Sequence, residues 1–188
     1  MKKWSDIRQG IINKLFMDEA EVNSENDNYA SKFAYFANEC LNQIANGVKP
    51  RIAMFEVNTT KENEEVTMPD DFLSFADMVN YKDNEADPPI IYFGAKLILP
   101  AVGAYKIFYN ALWEPITEDY MNDKEQPDLP IDQSVLNCIP SYVAAQILAE
   151  DDVQRSTILK NEYELMLSRL DTNIMYQENH FKSIGGWY

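Results

Sequence analysis

The chain has a single histidine, His180. Histidine is the usual proton carrier and metal ligand near neutral pH, so His-based triads, dyads and zinc sites have almost no material. Only two cysteines are present, Cys40 and Cys138. They lie far apart, both on apolar helical faces, and read as small buried hydrophobes in a reducing compartment. Cations are also scarce: 16 Lys and Arg against 31 Asp and Glu leave a net charge of −15. Nucleic-acid affinity comes largely from cations that displace phosphate counterions, so tight DNA or RNA binding is not expected. No apolar run is long enough for a membrane span. The richest stretch, 90–113, is broken by Gly94, Lys96, Pro100, Gly103 and Lys106. MKKW passes at once into polar SDIRQG, so no secretory leader is expected. Glycine-rich phosphate loops and the nucleophile elbow GxSxG are missing too.

What the chain does contain is helical periodicity at both ends. Near the C-terminus, Ile131, Val135, Ile139, Tyr142, Val143 and Ile147 recur at three- and four-residue steps, which places them on one helix face. Pro140 interrupts this pattern, predicting a kink near Leu136 or a helix that restarts at Pro140. Leu159, Tyr163, Met166, Leu167, Leu170 and Ile174 form a second stripe, with Asp151 or Asp152 as its cap. A tight turn at 150–152 folds the two into an antiparallel pair. Trp4, Ile7, Ile11, Leu15 and Phe16 mark a first helix with Ser5 as N-cap. Tyr29, Phe33, Phe36, Ala37, Cys40, Leu41 and Ile44 mark another, capped by Asn28 and stopped near Gly47. The acidic stretch 18–28 between them lacks the spacing and central glycine of a calcium loop and reads as solvated.

The period changes in the middle. Residues 51–58 are rich in strand formers, and 64–68 read as their hairpin partner. Phe72, Phe75, Met78 and Val79 predict a short helix over 69–81. Three strand-like runs follow at 90–93, 95–99 and 104–109, with PAVG (100–103) as a hairpin turn. The last run carries large apolar groups on both faces, predicting a sheet covered by helices on one side and by a neighbour on the other.

The expected fold is therefore mainly α: an antiparallel bundle of helices at 5–16, 28–45, 132–149 and 152–170, with a small antiparallel β insertion at 51–113. Residues 1–170 form one domain and 171–188 an extended C-terminal tail. The acid pairs Glu64–Glu65, Asp70–Asp71 and Asp151–Asp152 could in principle supply glycosidase carboxylates, but adjacent acids are placed better for caps and solvation. No catalytic, cofactor or metal residue is therefore assigned, and the chain is not expected to be an enzyme. The tail keeps aromatics with nothing to pack on in their own segment. Tyr176, Phe181, Trp187 and Tyr188 are the candidate anchors for a partner's pocket, ordering as the tail docks on a partner or a neighbouring subunit.

One resemblance extends this reading. Pro69–Phe72 (PDDF), Tyr105 to Leu112 (YKIFYNAL), Leu129–Pro130, the alanine-rich run Ala144–Asp152 and Tyr163 to Leu167 (YELML) follow one another in this order. The order and spacing resemble the head–tail connector proteins of tailed bacteriophages, also called adaptor or head-completion proteins, over about two-thirds of the chain. The resemblance implies a helical domain with a small β insertion, assembled as a dodecameric ring below the portal in the virion neck. It further implies portal and downstream tail proteins as partners, no cofactor and no enzymatic activity. DNA would pass through without tight binding, and an acidic lumen would repel its phosphates. The alternatives are a tail-completion or tail-terminator ring and an acidic soluble binding or regulatory module.

Overall fold

The structure is a computed structural model; it describes residues 2–16, 29–80, 90–92, 95–117, 120 and 127–178, with 29–31, 79–80, 90–92 and 171–178 described by backbone alone. The chain divides into two compact units: residues 1–49 together with 114–188, and residues 50–113.

The first unit is helical. Helix α1 (Trp4–Leu15) buries Trp4, Ile7, Ile11, Ile12 and Leu15. Its N-cap is Lys3 rather than Ser5: the Lys3 N–H donates to the Asp6 carboxylate at 3.0 Å. Helix α2 (Tyr29–Gly47) buries Phe33, Ala37, Cys40, Leu41 and Ile44. Pro140 acts as a restart. Helix α3 (Gln133–Leu136) is capped by Asp132, and α4 (Ile139–Ile147) begins with Pro140 in its first turn, where a missing N–H leaves no bond unmade. Ile139, Tyr142, Val143, Ala144 and Ala145 of α4 are all buried, as expected of a helix apolar on every side. It is the central helix, with α1, α2 and a long final helix α5 (Val153–Glu178) packed around it. Gly10 permits the α1 approach, because a Cβ there would stand 3.1 Å from the Pro140 ring.

The turn into α5 is held twice. Asp152 accepts from the Arg155 N–H at 3.0 Å, and the Ser156 hydroxyl donates to the Ala145 carbonyl at 2.8 Å. Helix α5 buries Leu159, Tyr163 and Leu170. It runs on to Glu178, so the first eight residues assigned to an extended tail are helical backbone.

The second unit overturns the mainly α expectation. Among the described residues it has six strands: β1 (Arg51–Thr59), β2 (Glu64–Thr67), β3 (Phe72–Asn80), β4 (Ile90–Tyr92), β5 (Lys96–Leu99) and β6 (Gly103–Ala111). They form two antiparallel three-stranded sheets, ordered β1-β6-β3 and β2-β5-β4. The protein is a mixed α and β fold, not a helical bundle with a minor insertion.

Three local expectations fail with it. Strand β2 pairs with β5 rather than with β1, and PAVG joins strands of different sheets instead of closing a hairpin. The underlying object is one long ribbon. One side runs β1 then β2, the other β6 then β5, with Thr59 opposite Gly103 and Glu64 opposite Leu99. Both sides pass from one sheet to the other at the same corner. Thr59 pins it: its hydroxyl contacts the Ala101 carbonyl at 2.8 Å and accepts from the Gly103 N–H at 2.9 Å.

The segment 69–81 is the third failure. Phe72–Asn80 within it is a strand, and two β-bulges explain why it reads as a helix. Phe72, Phe75 and Met78 face Ala111, Tyr109 and Ile107, every second residue of β6, while register shifts between Phe72 and Ser74 and between Phe75 and Asp77 take up one extra residue each. A bulge inserts one unpaired residue, so same-face positions three apart imitate a helical step.

Alternation along β6 aims Tyr105, Ile107, Tyr109 and Ala111 inward. There they join Val66, Leu97 and Leu99 of the second sheet in one core. The inward face of this sheet thus packs on the other sheet.

Candidate interaction surfaces

The acid pairs have structural partners. Glu64 accepts from the Thr60 and Lys61 N–H groups at 2.7 and 3.2 Å, and these bonds hold its carboxyl below the usual range. Glu65 pairs with Lys96 across the sheet. Asp71 binds Arg51 at 2.5 Å and accepts from the Tyr109 hydroxyl at 3.0 Å. Burial first, then that bond to Asp71, pushes the Tyr109 phenol up. Asp152 caps α5. Among the described residues, no group of three or more His, Cys, Asp or Glu is placed to hold a metal.

The two cysteines are both buried inside the helical unit with free thiols. Burial pushes the Cys138 thiol up to about 11 and raises Cys40 further, a shift that the neighbouring Cys138 reinforces. Neither has the depressed pKa of a nucleophile. The rings of Tyr142 and Tyr163 meet at a tilt of 60° with centroids 5.0 Å apart, and Gln43 donates to the Tyr142 hydroxyl at 2.7 Å.

Among the described residues, exposed apolar side chains include a group on each unit, beside the separately exposed Tyr35, Val102, Val153 and Leu165. On the outer face of the β1-β6-β3 sheet, Ile52 and Met54 are 63% and 45% exposed, and Phe108 stands opposite Met54. The patch is bounded on one side by the Glu56–Lys106 ion pair at 3.4 Å and on the other by an Asn110–Ser74 hydrogen bond of 2.8 Å.

On the helical unit the second group lies at a groove of about 420 Å³ between the end of α1 and the start of α5, lined by Asn13, Lys14, Phe16, Arg155, Ile158 and Leu159. Phe16 terminates α1 with a left-handed backbone (φ 57°), and the residue is 83% exposed. The Arg155 guanidinium lies 4.6 Å from the ring centroid and donates to the Lys14 carbonyl at 3.0 Å. Lys14 in turn pairs with Glu162 at 2.8 Å. The groove wall is therefore braced by charge on its outer side and apolar within.

Of the anchors expected in the tail, Tyr176 falls on the backbone of α5, and Phe181, Trp187 and Tyr188 lie outside the described residues. The sequence reading missed Ile52, Met54, Ile158 and Phe16 as surface groups. For Ile52 and Met54 a signal existed: they alternate in β1 with Ala53, Phe55 and Val57, so one of the two sets had to face outward. Phe16 continues the apolar period of α1 and gave none.

The chain matches no protein-family model. No curated protein matches it significantly either. Among the described residues, no helix is long and apolar enough to cross a membrane.

Proposed function

We propose that this chain is a structural subunit of the neck of a tailed bacteriophage. In this reading it is a head–tail connector, made in the host bacterial cytoplasm, that assembles as a ring below the portal and extends the DNA channel toward the tail. The observation that carries the reading is the order of the connector-like features. They fall on successive joints of the fold: PDDF leads into β3, YKIFYNAL is the central strand β6, Leu129–Pro130 precedes α3, the alanine-rich run is α4 with the turn after it, and YELML lies on α5. The resemblance implied a helical domain with a small β insertion, and the two sheets depart from it; the reading rests on the order of these features alone.

Two physical features favour an assembling subunit over a lasting monomer. Both units present exposed apolar side chains, which a protein that stays alone has little reason to keep together. The net charge of −15 suits a channel wall past which a polyanion must slide, since like charge prevents adsorption.

The test is to mix the purified chain with portal protein and with tail-tube protein and to image the products by electron microscopy. Rings seated on the portal are expected. Rings seated on the tube alone would move the reading to a tail terminator. A lasting monomer that binds a basic partner only at low salt would replace it with a soluble binding module.

A further inference from the structure

The groove between α1 and α5 has no occupant among the described residues, although its lining is almost wholly apolar and its aromatic wall is fixed. Of its lining residues, Ile158 is 60% exposed and Phe16 is more so, while Leu159 is buried. Arg155 lies over the Phe16 ring, and among the described residues no other ring or cation is recorded against it. The same chain carries Phe181, Ile184, Trp187 and Tyr188 immediately beyond α5, four large apolar side chains set among small and polar ones.

Distance decides whose groove such a segment reaches. Helix α5 runs away from the groove, and from Ile158 to its end at Glu178 the helical rise of 1.5 Å per residue amounts to roughly 30 Å. An extended chain covers at most about 3.3–3.6 Å per residue. Phe181 and Ile184 therefore cannot return to the groove of their own subunit, and Trp187 arrives only on a fully extended backbone. The groove of a second copy carries no such restriction.

We propose that the segment from Phe181 to Tyr188 of one copy docks in the Phe16–Arg155–Ile158 groove of a neighbouring copy. The contact is heterologous, head to tail, which is the kind that closes into rings. Trp187 or Tyr188 stacks on the open face of Phe16, and its ring covers Ile158 and Leu159. This clasp deepens the connector reading by naming a subunit-to-subunit contact. It needs only a second copy and no portal, so it can fail while that reading stands.

The test uses the full chain in two complementary variants. Ile158→Asp spoils the groove at an exposed position and keeps the tail. The double change Trp187→Ala, Tyr188→Ala spoils the tail and keeps the groove. Circular dichroism verifies that both fold. In sedimentation velocity at rising concentration, the wild type is expected to self-associate and each variant alone to remain monomeric. An equal mixture is expected to form a one-to-one pair, because one intact tail then meets one intact groove. Three outcomes would each overturn the clasp. They are a wild type that is monomeric at every concentration, a variant that associates like the wild type, and a mixture that stays monomeric while the wild type associates.

Discussion

At the scale of single residues, Asp71 links two strands of the β unit. It ties Arg51 at the start of β1 to Tyr109 near the end of β6. Tyr109 is buried, with 4% of its surface exposed, so removing the acceptor strands a phenol hydroxyl in the core. Asp71→Ala should cost about 1–3 kcal/mol, the usual penalty for a buried polar group left unpaired, and a urea titration measures it. Asp132 shows a pH effect instead. Burial acts against ionisation there, yet Lys49 and the Ser134 hydroxyl and N–H outweigh it and hold the carboxyl at about 2, below its ordinary 3.8. A carboxylate with a depressed folded pKa contributes stability above its unfolded value and loses it as pH falls through the folded one. Its side chain is 39% exposed, so the contribution is at most about 1 kcal/mol after solvent screening. Asp132→Asn should therefore trail the wild type above pH 4, and the gap should close between about pH 4 and 2. A stability difference that stays constant across this range would show that the ion pair contributes nothing.

At the scale of elements, the legible parts of the fold are those whose pattern obeys one period. The helices α1, α2 and α5 came through because their buried residues recur at helical steps, and the break at Pro140 came through because proline removes a definite hydrogen bond. Strand β3 did not, because its two bulges convert a two-residue period into a three-residue one. Strand pairing was also hidden. A sequence displays alternation, but nothing in 60–63 or 100–102 reveals that both sides of the ribbon turn into a second sheet there. The interaction surfaces were less legible still: exposure of Phe16 depends on a left-handed backbone at a helix end, which no periodicity records. The bulge account can be tested. Ala76 takes up a register shift and is exposed. Deleting it removes the bulge and leaves Asp77 opposite Phe108 and Met78 opposite Ile107, so the deletion should cost less than about 2 kcal/mol. Met78→Ala, which empties a buried position of the same strand, should cost about 2–5 kcal/mol. A deletion as costly as Met78→Ala in a urea titration would mean that Ala76 is not the spare residue of the bulge.

At the scale of the whole molecule, charge governs behaviour toward nucleic acid. With 16 cations against 31 anions, few counterions can be released on contact with a duplex, so binding should be weak even at low ionic strength. A gel-shift titration in low salt should give no retarded complex below micromolar concentrations. Tight binding would remove the argument for a repelling channel wall and weaken the connector reading with it.

The pairing of Arg51 with Ala111 has a kinetic side. These residues stand near the two ends of the β unit, and opposed residues of an antiparallel pair have Cα atoms about 4.5–5.5 Å apart. The helical unit is discontinuous: α1 and α2 precede residues 50–113, and α4 and α5 follow them. Before the β unit forms, docking α4 between α1 and α2 must close a loop of all those residues. Afterwards it closes one of only about 30 residues, which lowers the entropic barrier by about 1 kcal/mol on the logarithmic dependence of closure on loop length. The β unit is then a folding staple for a bundle to which it contributes no helix. Ile107→Ala, in the centre of the β core, should slow the recovery of helical circular dichroism during refolding severalfold. Leu165→Ala, on the exposed side of α5, should leave that rate nearly unchanged. If helix recovery proceeds at the wild-type rate in Ile107→Ala, the helices close the long loop unaided.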